Sequence, residues 1–215
     1  MKYQVQIEYV LSADGPVLVS SGSGNKLHPE LPDSTFLTSR DGGQEVFVIP
    51  GSTLKGVVRH YLCSIKGVPA VDSLFGDVKK EGARKSRIAF SDAFADMDTI
   101  KTAIRYNTAL GSVSQSAKGG SLNNCQAVIR GRFPGNIRMN NVSGQEIDMI
   151  VGAFSAIDNR MLFIGGKSSR GFGRMRVDSF VMTVSDGYDK ETLRPHVTGR
   201  ADSLESALSF ARQIG

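Results

Sequence analysis

The chain has 215 residues, a formal net charge of +5 and a sequence pI of about 9.3. With 40% hydrophobic and 22% charged residues, it has the composition of a globular protein, and we predict a single domain over residues 1–215. The two cysteines, Cys63 and Cys125, lie far apart and favour neither a disulfide framework nor a zinc site. No signal peptide or membrane-spanning stretch is evident, so we expect a cytoplasmic protein with no membrane partner.

The first segment of the chain alternates between apolar and polar residues, and this pattern predicts a half-buried strand over residues 3–11. Residues 12–43 are rich in Ser, Gly, Pro and Asp and show no sustained period. A connection of that length inside a compact domain is typical of a functional loop. Residues 45–49 predict a second, short strand.

The stretch IPGSTLKGVVRHYLCSI, residues 49–65, predicts a helix with an apolar stripe. Ser52 or Thr53 can cap its first turn. Lys55 and Arg59 lie on another face near the N-terminus, where the helix dipole gives cations no stabilisation. A bound anion at that end would explain them. The alternative is an ordinary amphipathic helix whose long cationic side chains extend into solvent.

The remaining elements are predicted from their apolar periodicity. The hairpin or projecting loop at 103–140 would contain two paired strands, 125–129 and 133–139, around Arg130–Arg132. The other predictions are a polar connection at 66–86, strands at 87–92, 161–164 and 175–184, and helices at 144–157 and 202–214. Without its insertions, this order fits an α+β protein with a ferredoxin-like, split βαβ core.

Positive charge is segregated along the chain. Residues 99–145 and 159–177 contain no Asp or Glu, although they carry eleven of the 26 basic residues. Such segregation is typical of a surface that binds a polyanion. Tryptophan is absent and aromatic residues make up only 7% of the chain, so charge rather than base stacking would provide most of the affinity.

The segment GGKSSRGFGRM, residues 165–175, combines four glycines with three basic residues and no carboxylate. Glycines let the backbone approach a ligand closely, and basic side chains beside free N–H groups favour phosphate. A Walker A loop is disfavoured because Met161 occupies the position of its first glycine. The loop also precedes a strand, which disfavours a dinucleotide-binding fingerprint. The three histidines, His28, His60 and His196, lack metal-ligand spacing.

Four blocks resemble the signature motifs of the RAMP superfamily, the RNA-binding subunits of CRISPR effector complexes: IPGSTLKGVVR (49–59), LFG (74–76), RIAFSDA (87–93) and GGKSSRGFGRM (165–175). Their order and size most resemble the backbone subunit of type III effectors. The resemblance implies an RRM-like core, a projecting thumb within 103–140, and assembly of several copies along a guide RNA. It also implies partners of three kinds: guide RNA, target RNA, and other subunits of the effector complex.

The resemblance also suggests which residues act. It implies RNA contacts by Ser52, Lys55, Arg59, Lys167, Ser169, Arg170, Gly171, Phe172 and Gly173. We therefore expect the helix cations and the glycine-rich segment to form one positively charged surface. Such contacts would hold the ribose–phosphate strand without selecting its bases.

Subunits of this kind in type III complexes cleave target RNA with an aspartate from the first long loop and a divalent metal such as Mg²⁺. That loop contains Asp14, Glu30, Asp33 and Asp41, and Asp33 best matches the family pattern as catalytic residue and metal ligand. His28 could assist proton transfer. The alternative for Asp33 is a turn residue after Pro32.

The segment LGSVSQSAKGGSLNN, residues 110–124, departs from the family by lacking an acidic residue, which leaves the contacts of the thumb with target RNA open. Two alternative functions also stay open. One is a non-catalytic RNA-binding or filament-capping subunit, and the other is a separate endonuclease for precursor RNA.

Overall fold

The computed structural model describes residues 2–20, 32–77, 83–107, 123–188 and 195–214. Nine strands and four helices are present in these ranges. In chain order they are β1 (Tyr3–Ala13), β2 (Thr38–Asp41), β3 (Gln44–Ile49), α1 (Gly51–Lys66), α2 (Val68–Phe75), β4 (Ile88–Phe90), β5 (Ala93–Phe94), β6 (Asp96–Asn107), β7 (Asn123–Val142), α3 (Gly144–Asp158), β8 (Met175–Tyr188), β9 (Pro195–Ala201) and α4 (Leu204–Ile214).

The central sheet has six strands: five follow the order β4-β7-β1-β8-β9, β6 pairs with the first part of β7, and all of these pairings are antiparallel. α1 lies between β1 and β4 in the chain, and α3 connects β7 to β8. The four strands β4-β7-β1-β8 with these two helices reproduce the split βαβ arrangement. The predicted α+β, ferredoxin-like core is therefore confirmed. A separate small sheet, β2-β3-β5, contains the predicted strand at 45–49.

One face of the central sheet is buried against helices. Alternate residues of a strand point to opposite faces, so every second side chain of a strand lies on this buried face. On β1 the inward side chains are those of Val5, Ile7, Tyr9 and Leu11. The ring of Phe154 on α3 lies between the rings of Tyr9 and Phe180, with ring centroids 4.9 and 5.3 Å away. The opposite face of β1, which includes Gln6 and Glu8, is exposed. The sheet therefore has a core side and an open side.

β7 is one continuous strand of 20 residues, which corrects the prediction of two short strands paired around Arg130–Arg132. Its first part pairs with β6, and its second part pairs with β1 and β4. The chain passes through Arg130–Arg132 without a turn because both sides of the strand already have partners. Of the predicted insertion at 103–140, residues 103–107 and 123–140 thus lie in strands β6 and β7 of the central sheet, and residues 108–122 lie outside the described ranges.

Two further predictions of secondary structure are wrong. The apolar run at 161–164 is not a strand: the N–H groups of Met161 and Leu162 donate to the carbonyl of Ala156, at 2.8 and 3.0 Å, and close the end of α3. The predicted connection at 66–86 contains α2, whose Val71, Leu74 and Phe75 are buried. β2, β5, β6 and β9 were not predicted as strands.

Within the predicted loop at 12–43, the described residues are anchored to the core. β1 continues to Ala13, Val17 and Phe36 are buried, and Val17 forms an isolated bridge with Val128 of β7. No helix in the described ranges is both long and apolar enough to span a membrane.

Candidate nucleic-acid interface

The glycine-rich segment forms a closed loop between α3 and β8, here called the glycine loop (residues 165–174). The N–H of Ile164 donates to the carbonyl of Gly173 at 2.9 Å and closes its base. Two further bonds fix it to the residues after β1: Gly173 N–H donates to Pro16 at 2.8 Å, and Gly166 N–H donates to Leu18 at 2.9 Å. The position of the loop is thus set by backbone contacts.

Two of the glycines are required by the protein's own backbone. Gly165 has φ +93°, and a Cβ there would lie 2.3 Å from the carbonyl oxygen of Leu18. Gly173 has φ +89°, and its Cβ would lie 2.7 Å from the carbonyl oxygen of Ile164. We expected the glycines to allow close approach of RNA, but at these positions they allow close packing of the chain. Gly171, with φ +82° and no atom within 4 Å of a Cβ, remains open to a ligand.

Phe172 anchors the loop. Its side chain is 4% exposed and packs with Leu18, Cys125 and Ala127 in a small cluster of its own. Gly173 is also buried. Phe172 and Gly173 therefore have little surface available to a ligand, and their predicted RNA contacts stay a prediction. Their role is to hold the exposed part of the loop.

The exposed part of the glycine loop carries its charge. Residues 168–170 form one 3₁₀ turn between Lys167 and Gly171, both in the left-handed conformation. Ser169 and Arg170 are exposed, and Lys167 is partly exposed. In the part of the chain that the structure describes, no carboxylate forms an ion pair with Lys167 or Arg170. Both charges are therefore available to an external anion.

The two acid-free stretches meet next to this loop. On the open side of the sheet, Ser12 of β1 lies between Arg132 of β7 and Arg176 of β8 in register. On the adjoining pair of strands, Lys101 lies opposite Arg130. Asp178 balances part of this charge, because it accepts a hydrogen bond from Ser12 at 2.7 Å and lies 3.5 Å from Arg132. The sequence signal for these cations was the absence of acidic neighbours.

The predicted helix cations have partners inside the protein. Lys55 Nζ donates to Ser86 Oγ at 2.7 Å and to the carbonyl of Ile88 at 3.3 Å. Burial, and then the positive charge of Arg59, lowers the pKa of Lys55. Arg59 forms an ion pair with Asp72 of α2 at 2.6 Å, and this bond raises the pKa of Arg59. We call this group of Lys55, Arg59, Asp72 and Ser86 the α1 corner.

The N-terminus of α1 is likewise occupied. The helix begins after Pro50, and neither Ser52 nor Thr53 caps it. The carboxylate of Asp92 instead accepts the N–H of Gly51 at 2.8 Å. A negative charge near the first turn complements the helix dipole. Asp92 therefore fills the place at which the sequence predicted a phosphate, while Ser52 remains exposed.

The α1 corner and the glycine loop lie at different levels of the central sheet, and the expectation that they form one RNA-binding surface stays a prediction. Lys55 donates to the carbonyl of Ile88 on β4. Ile88 and Val5 of β1 both lie opposite Met139 of β7, one on each side, so Lys55 is bound at the level of Val5. The glycine loop joins the other end of β1, where the backbone carbonyl of Arg174 accepts the N–H of Asp14. The nine residues from Val5 to Asp14 correspond to about 30 Å of strand. The ferredoxin-like connections place the start of α1 and the start of β8 at different levels of the sheet.

Asp33 lies at the same end of β7 as the glycine loop. Its backbone N–H donates to Asn124 Oδ1 at 2.7 Å, and its Oδ2 accepts the N–H of Asn124 at 2.7 Å. Ser34 forms a parallel bridge with Cys125, and Cys125 packs against Phe172. Asp33 is exposed. We call the glycine loop, residues 16–18 and the start of β7 (123–128) the glycine-loop end.

The other acidic residues of the first loop are less suitable as the catalytic carboxylate or lie outside the described residues. Asp14 forms an ion pair with Arg160 at 2.8 Å. Asp41 is exposed at the end of β2, in register with Gln44. Glu30 and His28 lie outside the described residues. Of the described candidates, only Asp33 both abuts the glycine-loop end and lacks a cationic partner.

The residues around Asp33 can supply one carboxylate to a metal ion. Among the described residues, no three His, Cys, Asp or Glu side chains are grouped closely enough to form a metal site. Mg²⁺ commonly binds to one or two carboxylates, with waters and substrate phosphates as the other ligands. Asp33 therefore fits the role of a single protein ligand, and RNA would have to provide part of the coordination.

Asn124 was not predicted from the sequence. It orients Asp33 through a pair of hydrogen bonds across 91 positions of the chain, and no local pattern indicates such a partner. Tyr106 lies opposite Asn124 on β6 and is 67% exposed.

The geometry defines an α+β protein with a basic, anchored loop and an exposed, oriented carboxylate at one end of its sheet. A family model described as RAMPs, the RAMP superfamily, matches residues 10–176. The chain belongs to the RAMP superfamily. No curated protein matches the sequence.

A chain in the cryo-EM structure of the Type III-B Cmr-beta bound to cognate target RNA has a similar fold, with a TM-score of 0.56 and 18% sequence identity. The similarity covers 83% of the present chain and 60% of that chain. The present chain thus corresponds to less than two thirds of that protein's length.

Proposed function

We propose that the chain is a guide-RNA-binding backbone subunit of a type III CRISPR effector complex and that it cleaves target RNA at Asp33. Membership of the RAMP superfamily and the fold shared with a chain of a type III-B complex support the first part. The observation that carries the second part is the contact between Asp33 and the start of β7, beside the glycine loop. The partners would be guide RNA, target RNA, further copies of the chain and other effector subunits.

Guide RNA would bind at the exposed part of the glycine loop. Lys167 and Arg170 would contact phosphates, Ser169 would donate hydrogen bonds, and Gly171 would let the strand approach the backbone. Such contacts fix the path of RNA and leave its bases free to pair. The adjoining row of Arg132 and Arg176 would extend this basic surface across the open side of the sheet.

Cleavage would proceed by attack of a ribose 2′-oxygen on the adjacent phosphorus. The Asp33 carboxylate would orient the 2′-OH and accept its proton as the new P–O bond forms. The P–O5′ bond would break, and the leaving 5′-oxygen would take up a proton. The products are a 2′,3′-cyclic phosphate and a 5′-OH. A divalent ion bound to Asp33 would stabilise charge on the phosphate oxygens.

Asn124 would act as a positioning residue in this reaction. The backbone N–H of Asn124 donates to Asp33 Oδ2 and so fixes one carboxylate oxygen. The second oxygen would then be left to accept the proton of the 2′-OH. A fixed base within reach of its proton is the geometric requirement for general base catalysis.

The experiment is to reconstitute the complex with its guide and to measure cleavage of labelled target RNA in the presence of Mg²⁺. We expect Asp33→Ala and Asp33→Asn to abolish cleavage while target binding and assembly are preserved. Asp41→Ala is the matched control, because Asp41 is exposed in the same segment but lies on β2. Normal cleavage by Asp33→Ala would overturn the nuclease assignment and favour a non-catalytic or capping subunit.

A further inference from the structure

An exposed aromatic side chain lies beside the candidate catalytic carboxylate. Tyr106 of β6 is directly opposite Asn124 of β7 in the antiparallel register. Residues opposite each other in such a pair have their side chains on the same face. Tyr106 is 67% exposed, so most of this large aromatic residue is accessible to a ligand.

Asp33 lies on the other side of Asn124, on the same face. Because Ser34 and Cys125 form a parallel bridge, their neighbours Asp33 and Asn124 point together to the opposite face. The reciprocal bonds between Asp33 and Asn124 fit this arrangement. Asp33, Asn124 and Tyr106 therefore form one row across three adjacent segments, and two strand spacings, about 10 Å, separate Asp33 from Tyr106.

This row matches the dimensions of one nucleotide. A base stacked on the Tyr106 ring would place its ribose over Asn124 and its 2′-OH and 3′-phosphate towards Asp33. An aromatic ring stacks on any base because every base has a π face, so the contact would act without sequence preference. A nuclease whose target is chosen by guide pairing needs this tolerance.

We propose that Tyr106 stacks on the base of the target nucleotide at the cleavage position and thereby positions that nucleotide for Asp33. The inference rests on the proposed function, because it takes the reaction at Asp33 as given. It adds a residue that neither the motifs nor the glycine loop contain. Since guide pairing dominates target binding, the stack acts on the rate of cleavage and leaves affinity almost unchanged.

The test uses the reconstituted complex with Tyr106→Ala, Tyr106→Phe and Tyr106→Trp. We expect Tyr106→Ala to lower the single-turnover cleavage rate about tenfold, which corresponds to the stacking of one base. The Phe and Trp variants should retain the rate because they retain the ring. Ile104→Ala is the matched control: Ile104 is 44% exposed and lies opposite Gln126, one step farther from Asp33 on the same face.

A second readout reports on stacking itself. In an Asp33→Ala background, which prevents cleavage, target RNA carries 2-aminopurine at the cleavage position. Stacking quenches the fluorescence of this base, so we expect quenching with Tyr or Phe at position 106 and recovery of fluorescence in the Tyr106→Ala variant.

The two proposals fail in different ways. If Tyr106→Ala changes neither the cleavage rate nor the quenching while Asp33→Ala abolishes cleavage, the stacking proposal is wrong and the proposed function stands. If Asp33→Ala complexes still cleave, the proposed function is wrong. Loss of rate in the Phe variant as well as the Ala variant would indicate a role for the hydroxyl group and would overturn the stacking proposal.

Discussion

The α1 corner and the glycine-loop end start from the same kind of sequence signal and reach opposite outcomes. In both regions the sequence has basic residues close to glycine, and in both we expected free backbone N–H groups beside them. At the α1 corner, Asp72 forms an ion pair with Arg59. Next to it, the carboxylate of Asp92 accepts a hydrogen bond from the N-terminus of α1. At the glycine-loop end, Lys167 and Arg170 have no carboxylate partner among the described residues.

The difference shows how a polyanion-binding surface is distinguished from a structural ion pair. A cation that already has a partner gains little from an additional anion, since binding would first have to break an existing bond. An unpaired cation on an anchored loop can bind an anion without first breaking an existing bond. We therefore expect mutations in the α1 corner and the network beside it to change stability, and mutations in the glycine loop to change RNA binding.

The largest expected effect lies in the network next to the α1 corner. The Arg87 guanidinium binds the carboxylate of Glu146 and the carbonyls of Ser73 and Asn141. Glu146 also completes a capping box with Ser143 at the start of α3. Arg87→Ala should lower the free energy of unfolding by about 3 kcal/mol, because it leaves a buried carboxylate unpaired. Urea unfolding measures this change.

The pH dependence of the same network provides its control. Burial alone would raise the pKa of Glu146, but the bonds from Arg87, Ser143 and Ser73 outweigh it and hold that pKa below its ordinary value. This stabilisation is present above the unfolded-state pKa and is lost as the pH falls through the folded-state pKa. The stability gap between the wild type and Glu146→Gln should therefore close on acidification. A gap that is constant with pH would contradict the assignment.

The next effect should appear at the glycine loop and only in RNA binding. The double variant Lys167→Ala/Arg170→Ala should bind single-stranded RNA about tenfold more weakly, and the slope of log K against log salt should become shallower by about 0.7 for each lost phosphate contact. Stability should change by less than about 0.5 kcal/mol, because both side chains are at the surface. Fluorescence anisotropy over a salt series measures the slope.

Lys66→Ala is the matched control for this variant, since Lys66 is an exposed cation at the far end of α1. It should bind RNA with the wild-type slope. Equal losses in both variants would mean that RNA responds to net charge alone, and the distinction between the two regions would disappear.

Local patterns predicted much of the fold. The alternation on β1 and the apolar stripes of α1, α3 and α4 each lie within one element, so the sequence of that element suffices to predict it. α2 was missed because it is short and follows a glycine. The apolar run at 161–164 was predicted as a strand, and its hydrogen bonds to Ala156 at the end of α3 could not be read from local periodicity.

Partners across the chain could not be predicted in the same way. The bonds of Asp33 with Asn124 join positions 91 residues apart, and the contacts of Lys55 with Ser86 and Ile88 join positions more than 30 apart. The sequence showed where cations and carboxylates are but not which of them are already paired. Acid-free stretches were an incomplete signal: Arg130 and Arg176 form no ion pair in the described ranges, but Arg132 and Arg160 pair with carboxylates from other parts of the chain.

The smallest effect gives the sharpest test, because the sequence and the structure predict different results for the α1 corner. If Lys55 and Arg59 contact RNA, as the motif suggests, Lys55→Ala and Arg59→Ala will make the salt dependence of RNA binding shallower. From their bonds to Ser86 and Asp72 we expect an unchanged slope and a loss of stability of at most about 1 kcal/mol, as for other partly exposed pairs. A shallower slope would mean that RNA displaces these internal bonds, and the α1 corner would then belong to the interface.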